Sequence, residues 1–128
     1  MKPTHDLKIR VPYRDADPMG LVHHSVYFSY FEMGRTEMLR AAGGRYRDME
    51  EAGLFVVVAK VECSYHRPAR YDDLLTIRTT LERVTPARIE HTYLVLRDEE
   101  KLAQAKITLA VVDREGELQR VPEWLNPA

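Results

Sequence analysis

The sequence predicts an α+β domain in which one long helix lies against an antiparallel sheet of five strands. Three observations carry that prediction. Apolar residues recur with period two before Arg14, with helical spacing from Ser25 to Ala42, and with period two again from Val57 to Val111. The later strands are joined by turns too short for parallel crossovers, which take a dozen or more residues. The helix is apolar around much of its circumference, more than one flat sheet can bury. With 128 residues, 45% of them hydrophobic and 30% charged, the whole chain (1–128) reads as a single globular domain.

Each element has its own signal. His5 to Arg14 is the first strand, with Leu7, Ile9 and Val11 alternating with Lys8 and Arg10, and "DADPMG" stops it. In the helix, Tyr27, Phe31, Gly34, Met38 and Ala41 form one stripe, while Val26, Phe28, Tyr30 and Met33 lie off it. Ser25 is the expected N-cap, and Gly43-Gly44 supplies the stop because glycine tolerates the left-handed conformation at a helix end. About 18 residues give roughly 27 Å, enough to lie across a sheet. A shorter helical piece runs from Arg45 to Ala52. Val57, Ala59, Val61, Cys63 and Tyr65 mark the second strand, closed by Pro68, with Cys63 expected in the core as an inert thiol. Leu75 to Leu81, Ile89 to Val95 and Ala103 to Val111 mark the third, fourth and fifth, with "RDEEK" and "DREG" as turns.

Bulk properties exclude several functions. A net charge of −1 from 19 basic and 20 acidic residues offers no electrostatic footprint for nucleic acid or an anionic membrane. One cysteine cannot form an internal disulfide or a cysteine-rich zinc site. No segment reaches the ~18 apolar residues of a membrane span, and "MKPTHDLKIRVPYR" lacks the apolar core of a secretory signal. The expectation is a cytoplasmic protein with no membrane insertion. A serine nucleophile elbow, a zinc-binding HExxH, a phosphate-cradling P-loop and a dinucleotide glycine fingerprint are all missing from the sequence.

The stretch "RDADPMGLVHHSVYF", Arg14 to Phe28, remains. Asp17-Pro18 suits a helix entry, with aspartate as N-cap and proline at the first helical position. On that reading His24 is a hydrogen-bonded loop histidine, and Asp15 is solvated or pairs with Arg14. Asp15, Asp17, His23 and His24 contain carboxylates and imidazoles that suit zinc or iron, but no further spaced ligand pair supports them, so no metal is expected. The other reading uses the parts together. A carboxylate can serve as base or nucleophile, an imidazole can orient or move protons, and unpaired N–H groups at a helix start can stabilise an oxyanion. Acyl transfer to water fits that equipment, and a thioester fits best because its thiolate leaves with little protonation.

Tyr13 to Glu37, "YRDADPMGLVHHSVYFSYFEMGRTE", resembles the signature of the hotdog-fold acyl-CoA thioesterases. It is most similar to the 4-hydroxybenzoyl-CoA thioesterase-like group and its bacterial relatives associated with the Tol-Pal system. The likeness continues through "YHRPARYDDLLTI" and "VVDREGELQRVP" and so covers nearly the whole chain.

The resemblance implies a hotdog fold, a long central helix wrapped by a five-stranded antiparallel sheet, assembled as a homodimer or as a tetramer of two dimers, with active sites at the subunit interface. It also implies hydrolysis of acyl-CoA to free acid and coenzyme A with no cofactor. The family's catalytic carboxylate maps to Asp17, its histidine to His24 and the following tyrosine to Tyr27. In the hydroxybenzoyl enzymes the backbone N–H at the His24 position polarises the thioester carbonyl. His23 stands where relatives carry an aromatic and is kept as a structural or pocket residue. Tyr65, with His66 and Arg67, reads either as a border of the acyl or pantetheine path or as a strand end beside a turn, and Arg88 either as a contact for the coenzyme A phosphates or as a solvated arginine at a turn. Glu32 and Arg35 read as a structural ion pair. An acyl-carrier-protein thioesterase and a non-catalytic acyl-CoA-binding module are the alternatives, the second disfavoured by the presence of both Asp17 and His24.

Overall fold

The computed structural model describes residues 2–125. Strand β1 (Thr4–Arg10) keeps the expected alternation but stops short of Arg14. Pro12 has no N–H to give a ladder, and Tyr13–Asp15 closes into a 3-10 turn. Helix α1 (Val26–Ala41) buries Tyr27, Tyr30, Phe31, Gly34 and Arg35, the i, i+3, i+4, i+7, i+8 face of a helix. Met38 is half-buried and Ala41 exposed, so the expected stripe holds for the first two turns and then passes to solvent.

The two ends of α1 differ in how they meet expectation. Ser25 is not a side-chain N-cap: its backbone is already helical and its hydroxyl is turned to His23. At the other end Gly43 (φ +93°) donates to the Arg40 carbonyl and Gly44 to that of Leu39, the paired bonds of a Schellman stop. A short helix of six residues, α2 (Tyr46–Glu51), follows.

The remaining strands are β2 (Phe55–Tyr65), β3 (Leu74–Val84), β4 (Ile89–Arg97), β5 (Glu100–Val112) and β6 (Leu118–Gln119). The five long strands lie in the order β1-β3-β4-β5-β2, every neighbouring pair antiparallel. The two-residue β6 is a sixth strand beyond the five expected. It pairs with Val111 and Val112 after Asp113 accepts the N–H groups of Glu115 and Glu117 in the "DREG" turn. Glu123–Leu125 forms a last 3-10 turn within "VPEWLNPA", whose final three residues lie outside the described residues.

Register shifts at Val58/Lys60, Leu81/Arg83 and Val95/Leu96 are bulges, which add twist and curl the sheet. The core fills the concave face with Phe31, Leu75, Ile77, Tyr93, Val95, Ile107 and Leu109. Helix α1 packs on β1 and β3. The β2 side of the same face is left uncovered: Val58, Val61 and Tyr65 pair opposite buried Leu109, Ile107 and Ala103, yet are 49%, 36% and 43% exposed. Cys63, expected in the core, is only half-buried for the same reason. Among the described residues no helix is long and apolar enough to cross a membrane.

Candidate active site

Asp17-Pro18 is not a helix entry, since α1 starts only at Val26. Residues 16–22 form a small hairpin closed by an Ala16–Val22 bridge. The Gly20 N–H donates to the Asp17 carbonyl at 2.9 Å, and the Asp17 N–H to the Leu21 carbonyl at 2.8 Å. Gly20 sits at φ +80°, which is why glycine occupies that corner. The Asp17 Oδ1 accepts the N–H groups of Met19 (2.9 Å) and Leu21 (3.0 Å), so the carboxylate caps its own turn rather than the helix. Its Oδ2 accepts no hydrogen bond among the described residues. The hairpin is fastened to the segment before β3, where Val22 donates to the Ala69 carbonyl and Tyr71 to that of Gly20, both at 2.9 Å.

Below the hairpin, Asp15 is held by the buried Tyr30, whose hydroxyl donates to Oδ2 at 2.8 Å, and it keeps the expected pairing with Arg14 at 3.9 Å. Burial, and then this carboxylate, push the Tyr30 phenol up, so it stays a donor.

The two histidines divide the loop into α1. The His23 Nδ1 lies 2.8 Å from the Ser25 Oγ and accepts the Ser25 N–H at 3.2 Å. The His23 ring thereby does the capping expected of Ser25. The rings of His23 and His24 lie against each other, their centroids 4.1 Å apart and their planes tilted by 33°. The Val26 N–H goes to the His23 carbonyl and the Phe28 N–H to that of Ser25, so much of the expected free donor set is used internally. The N–H of His24 has no acceptor among the described residues. The His24 carbonyl accepts the Tyr65 hydroxyl at 3.0 Å, which ties β2 to the start of α1.

These elements surround a groove of about 270 Å³ lined by Val22, His24, Tyr27, Tyr65, His66, Arg67 and Pro68. Tyr27 forms its floor: its hydroxyl accepts the Ala69 N–H at 3.2 Å and its ring meets Tyr65 at 5.1 Å. Burial raises both phenols, with Cys63 adding to the rise at Tyr65, so both rings present neutral hydroxyls. A larger depression of about 430 Å³, on the outer face of the sheet between Glu62, Arg78, Thr92 and Lys106, holds none of the sequence-predicted site residues.

His24, Tyr27 and Tyr65 are therefore brought together, with the His23 ring against that of His24. Asp17 stands on the hairpin that supplies Val22 to the groove. Arg88 is not at the site of its own chain. It lies in the turn after β3, whose other end adjoins the hairpin, and 11 residues of strand separate the two ends by on the order of 30 Å. Arg35 does approach Glu32, at 3.8 Å, but it is buried while Glu32 is exposed. Sequence reasoning missed the Asp15–Tyr30 anchor and the Tyr65–His24 tie. The second joins residues 41 apart, a separation no local pattern encodes.

Comparison with known proteins agrees with this fold. The family model described as the thioesterase-like superfamily matches residues 11–128. The acyl-CoA thioesterase YbgC of Haemophilus influenzae is 35% identical over 106 residues, 82% of this chain and 78% of that protein. The acyl-CoA thioester hydrolase YbgC of Escherichia coli O157:H7 is 32% identical, covering 82% and 79%. The crystal structure of a probable thioesterase from Bartonella henselae superposes with a TM-score of 0.88 at 37% identity, covering 93% and 99% of the two chains.

Proposed function

The chain belongs to the thioesterase-like superfamily and has its hotdog fold, and from that premise we propose that it hydrolyses acyl-CoA thioesters to a free acid and coenzyme A. One observation carries the residue assignment. A carboxylate locked in its turn with one oxygen free, and an unpaired amide N–H, stand seven residues apart on a loop beside an aromatic groove. In this reading a thioester carbonyl binds between them, with Asp17 as base or nucleophile and the His24 N–H as electrophilic donor.

In this reading Asp17 takes the proton of a water whose oxygen attacks the thioester carbon. Alternatively its free oxygen attacks that carbon, and water opens the resulting anhydride. Negative charge moves onto the carbonyl oxygen, where the His24 N–H donates to it, an interaction worth several kcal/mol when preorganised. The C–S bond then breaks with its electron pair leaving on sulfur as the coenzyme A thiolate. Tyr65 keeps the His24 peptide in place, and Tyr27, His23 and the rings around them border the acyl path. A thiolate leaves without Lewis-acid help, so we assign no metal and no redox cofactor.

A second copy completes the arrangement. The exposed core-side residues of β2 and its unpaired outer edge favour a homodimer, with a tetramer of two dimers as the larger form. Arg88 reaches coenzyme A phosphates only in such an assembly. A half-buried free thiol at Cys63 suits the cytoplasm.

The test is thiol release from a panel of aromatic and aliphatic acyl-CoAs, with and without a chelator. Turnover of at least one class, unchanged by the chelator, is expected. Silence across the panel would remove the reading.

A further inference from the structure

At the end of α1 opposite the groove, a second cavity opens between the helix, the far ends of β3 and β4, and the last 3-10 turn. It measures about 110 Å³ and is lined by Met38, Leu81, Ile89 and Trp124, with Arg35, Tyr46 and His91 among its polar residues. Arg35 is 8% exposed and His91 5%. Among the described residues the only carboxylate within ion-pair reach of the guanidinium is the exposed Glu32, at 3.8 Å. Among the same residues the His91 Nδ1 has no hydrogen-bond partner.

Such a set is costly to leave unfilled. A buried guanidinium whose one ion-pair partner is an exposed carboxylate 3.8 Å away, next to an unsatisfied imidazole, is poorly compensated for its lost hydration. Burial, and then Arg35, drive the His91 imidazole down to about 4, so near neutral pH it cannot add a second positive charge and remains a neutral hydrogen-bonding group. On its other side Arg35 borders an outer groove that also carries Glu32 and Glu50. A bare inorganic anion arriving from that side meets two carboxylates, whereas a ligand entering through the apolar cavity does not. The site therefore selects an anionic head with an apolar body.

We propose that this cavity is a second ligand site, which binds a short-chain carboxylate with its head on Arg35 and its hydrocarbon among Leu81, Ile89 and Trp124. At about 110 Å³ the volume is below that of a benzene-binding cavity of about 150 Å³, which limits the tail to about five carbons. The proposal stands on the cavity and its side chains, independently of catalysis in the groove. If the groove hydrolyses thioesters, the acid it releases belongs to the class this site takes.

Trp124 is the only tryptophan of the chain and lines the cavity, so its emission reports occupancy. Titrating hexanoate into the full-length protein near neutral pH should give a saturable change in emission, and hexanol should not. Arg35→Met should weaken hexanoate by tenfold or more, the loss expected for a charge-assisted pair. Leu81→Phe, which fills the cavity and keeps the charge, should also abolish the change and decides the matter if Arg35→Met does not fold. Asp17→Asn should bind hexanoate like the parent protein, which separates this site from the groove. No saturable change in the parent, equal binding by hexanol, or undiminished binding in both cavity variants would overturn the proposal.

Discussion

Asp17 uses one carboxylate oxygen for two backbone N–H groups and leaves the other free, so structure and chemistry can be separated at this side chain. An asparagine in its place would keep an acceptor for Met19 and Leu21 but could neither take a proton nor attack. Asp17→Asn should therefore melt close to the parent, while turnover falls on the order of 10²–10⁴-fold. Equal loss of melting temperature and turnover would make Asp17 a turn residue only. The sequence singled out this position, but not its geometry. A helix cap and a turn cap use the same short carboxylate, and only the glycine three residues later, at φ +80°, pointed to the turn. A second prediction concerns His91, held at about 4 by burial and then by Arg35, against an ordinary 6.5. The unfolded chain takes up this proton more readily than the native one, so stability is full above about pH 6.5 and declines as pH falls towards 4. The total is on the order of 3 kcal/mol. Urea unfolding across that range should show a flatter profile for His91→Gln than for the parent. Neither this buried histidine nor its neighbour Arg35 was visible as a cluster in the sequence, although Arg35 follows Tyr27, Phe31 and Gly34 at helical spacing.

Contact between α1 and the sheet depends on Gly34. A Cβ there would stand 2.6 Å from the Thr79 Oγ1 and 3.1 Å from the Ile77 Cγ2. Alanine would gain about 1 kcal/mol of helix propensity and meet an overpacking cost of about 1–3 kcal/mol. Gly34→Ala should be the less stable protein in urea. Adding Thr79→Ala, which removes a buried hydroxyl that has no partner among the described residues, should recover part of the loss and give a positive coupling in a double-mutant cycle. Simple addition of the two effects would show that the helix adjusts its distance instead. The long helix and the succession of elements along the chain were readable from periodicity, and the helix stop from Gly43-Gly44, whereas the order of strands within the sheet was not. The helix start was readable too, with Ser25 at the N-cap position, but the cap itself was not, because the Ser25 hydroxyl turns to His23. The sixth strand, two residues long, is too short to leave a period at all.

For the whole molecule, the governing fact is that α1 shelters the β1–β3 side of the concave face and leaves the β2 side open. The parent should sediment at micromolar concentration as at least a dimer. Val58→Asp and Val61→Lys, which put charge on that open strip, should shift it towards monomer and reduce thioester hydrolysis together. A variant that is monomeric and fully active would sink the shared-site reading. The surplus of apolar helix surface hinted at a partner. The uncovered strip on β2 could not be foreseen, because an alternating strand reads the same at a buried sheet centre and at an open edge.

The strand order β1-β3-β4-β5-β2 also constrains how the chain reaches its shape. The two edges are made from the first strands of the chain, and the centre from the later ones. During synthesis β1 and β2 emerge before anything they can pair with, and the valine run of β2 must wait for β5. Only the meander β3–β4–β5 can form from neighbours in sequence, which makes it the natural nucleus of a slow, non-local topology. Val95→Ala in that meander should slow refolding in stopped-flow measurements, whereas Ile9→Ala in β1 should chiefly hasten unfolding. The residues that carry the proposed chemistry, on the loop between β1 and α1, would then be among the first made and the last set in place.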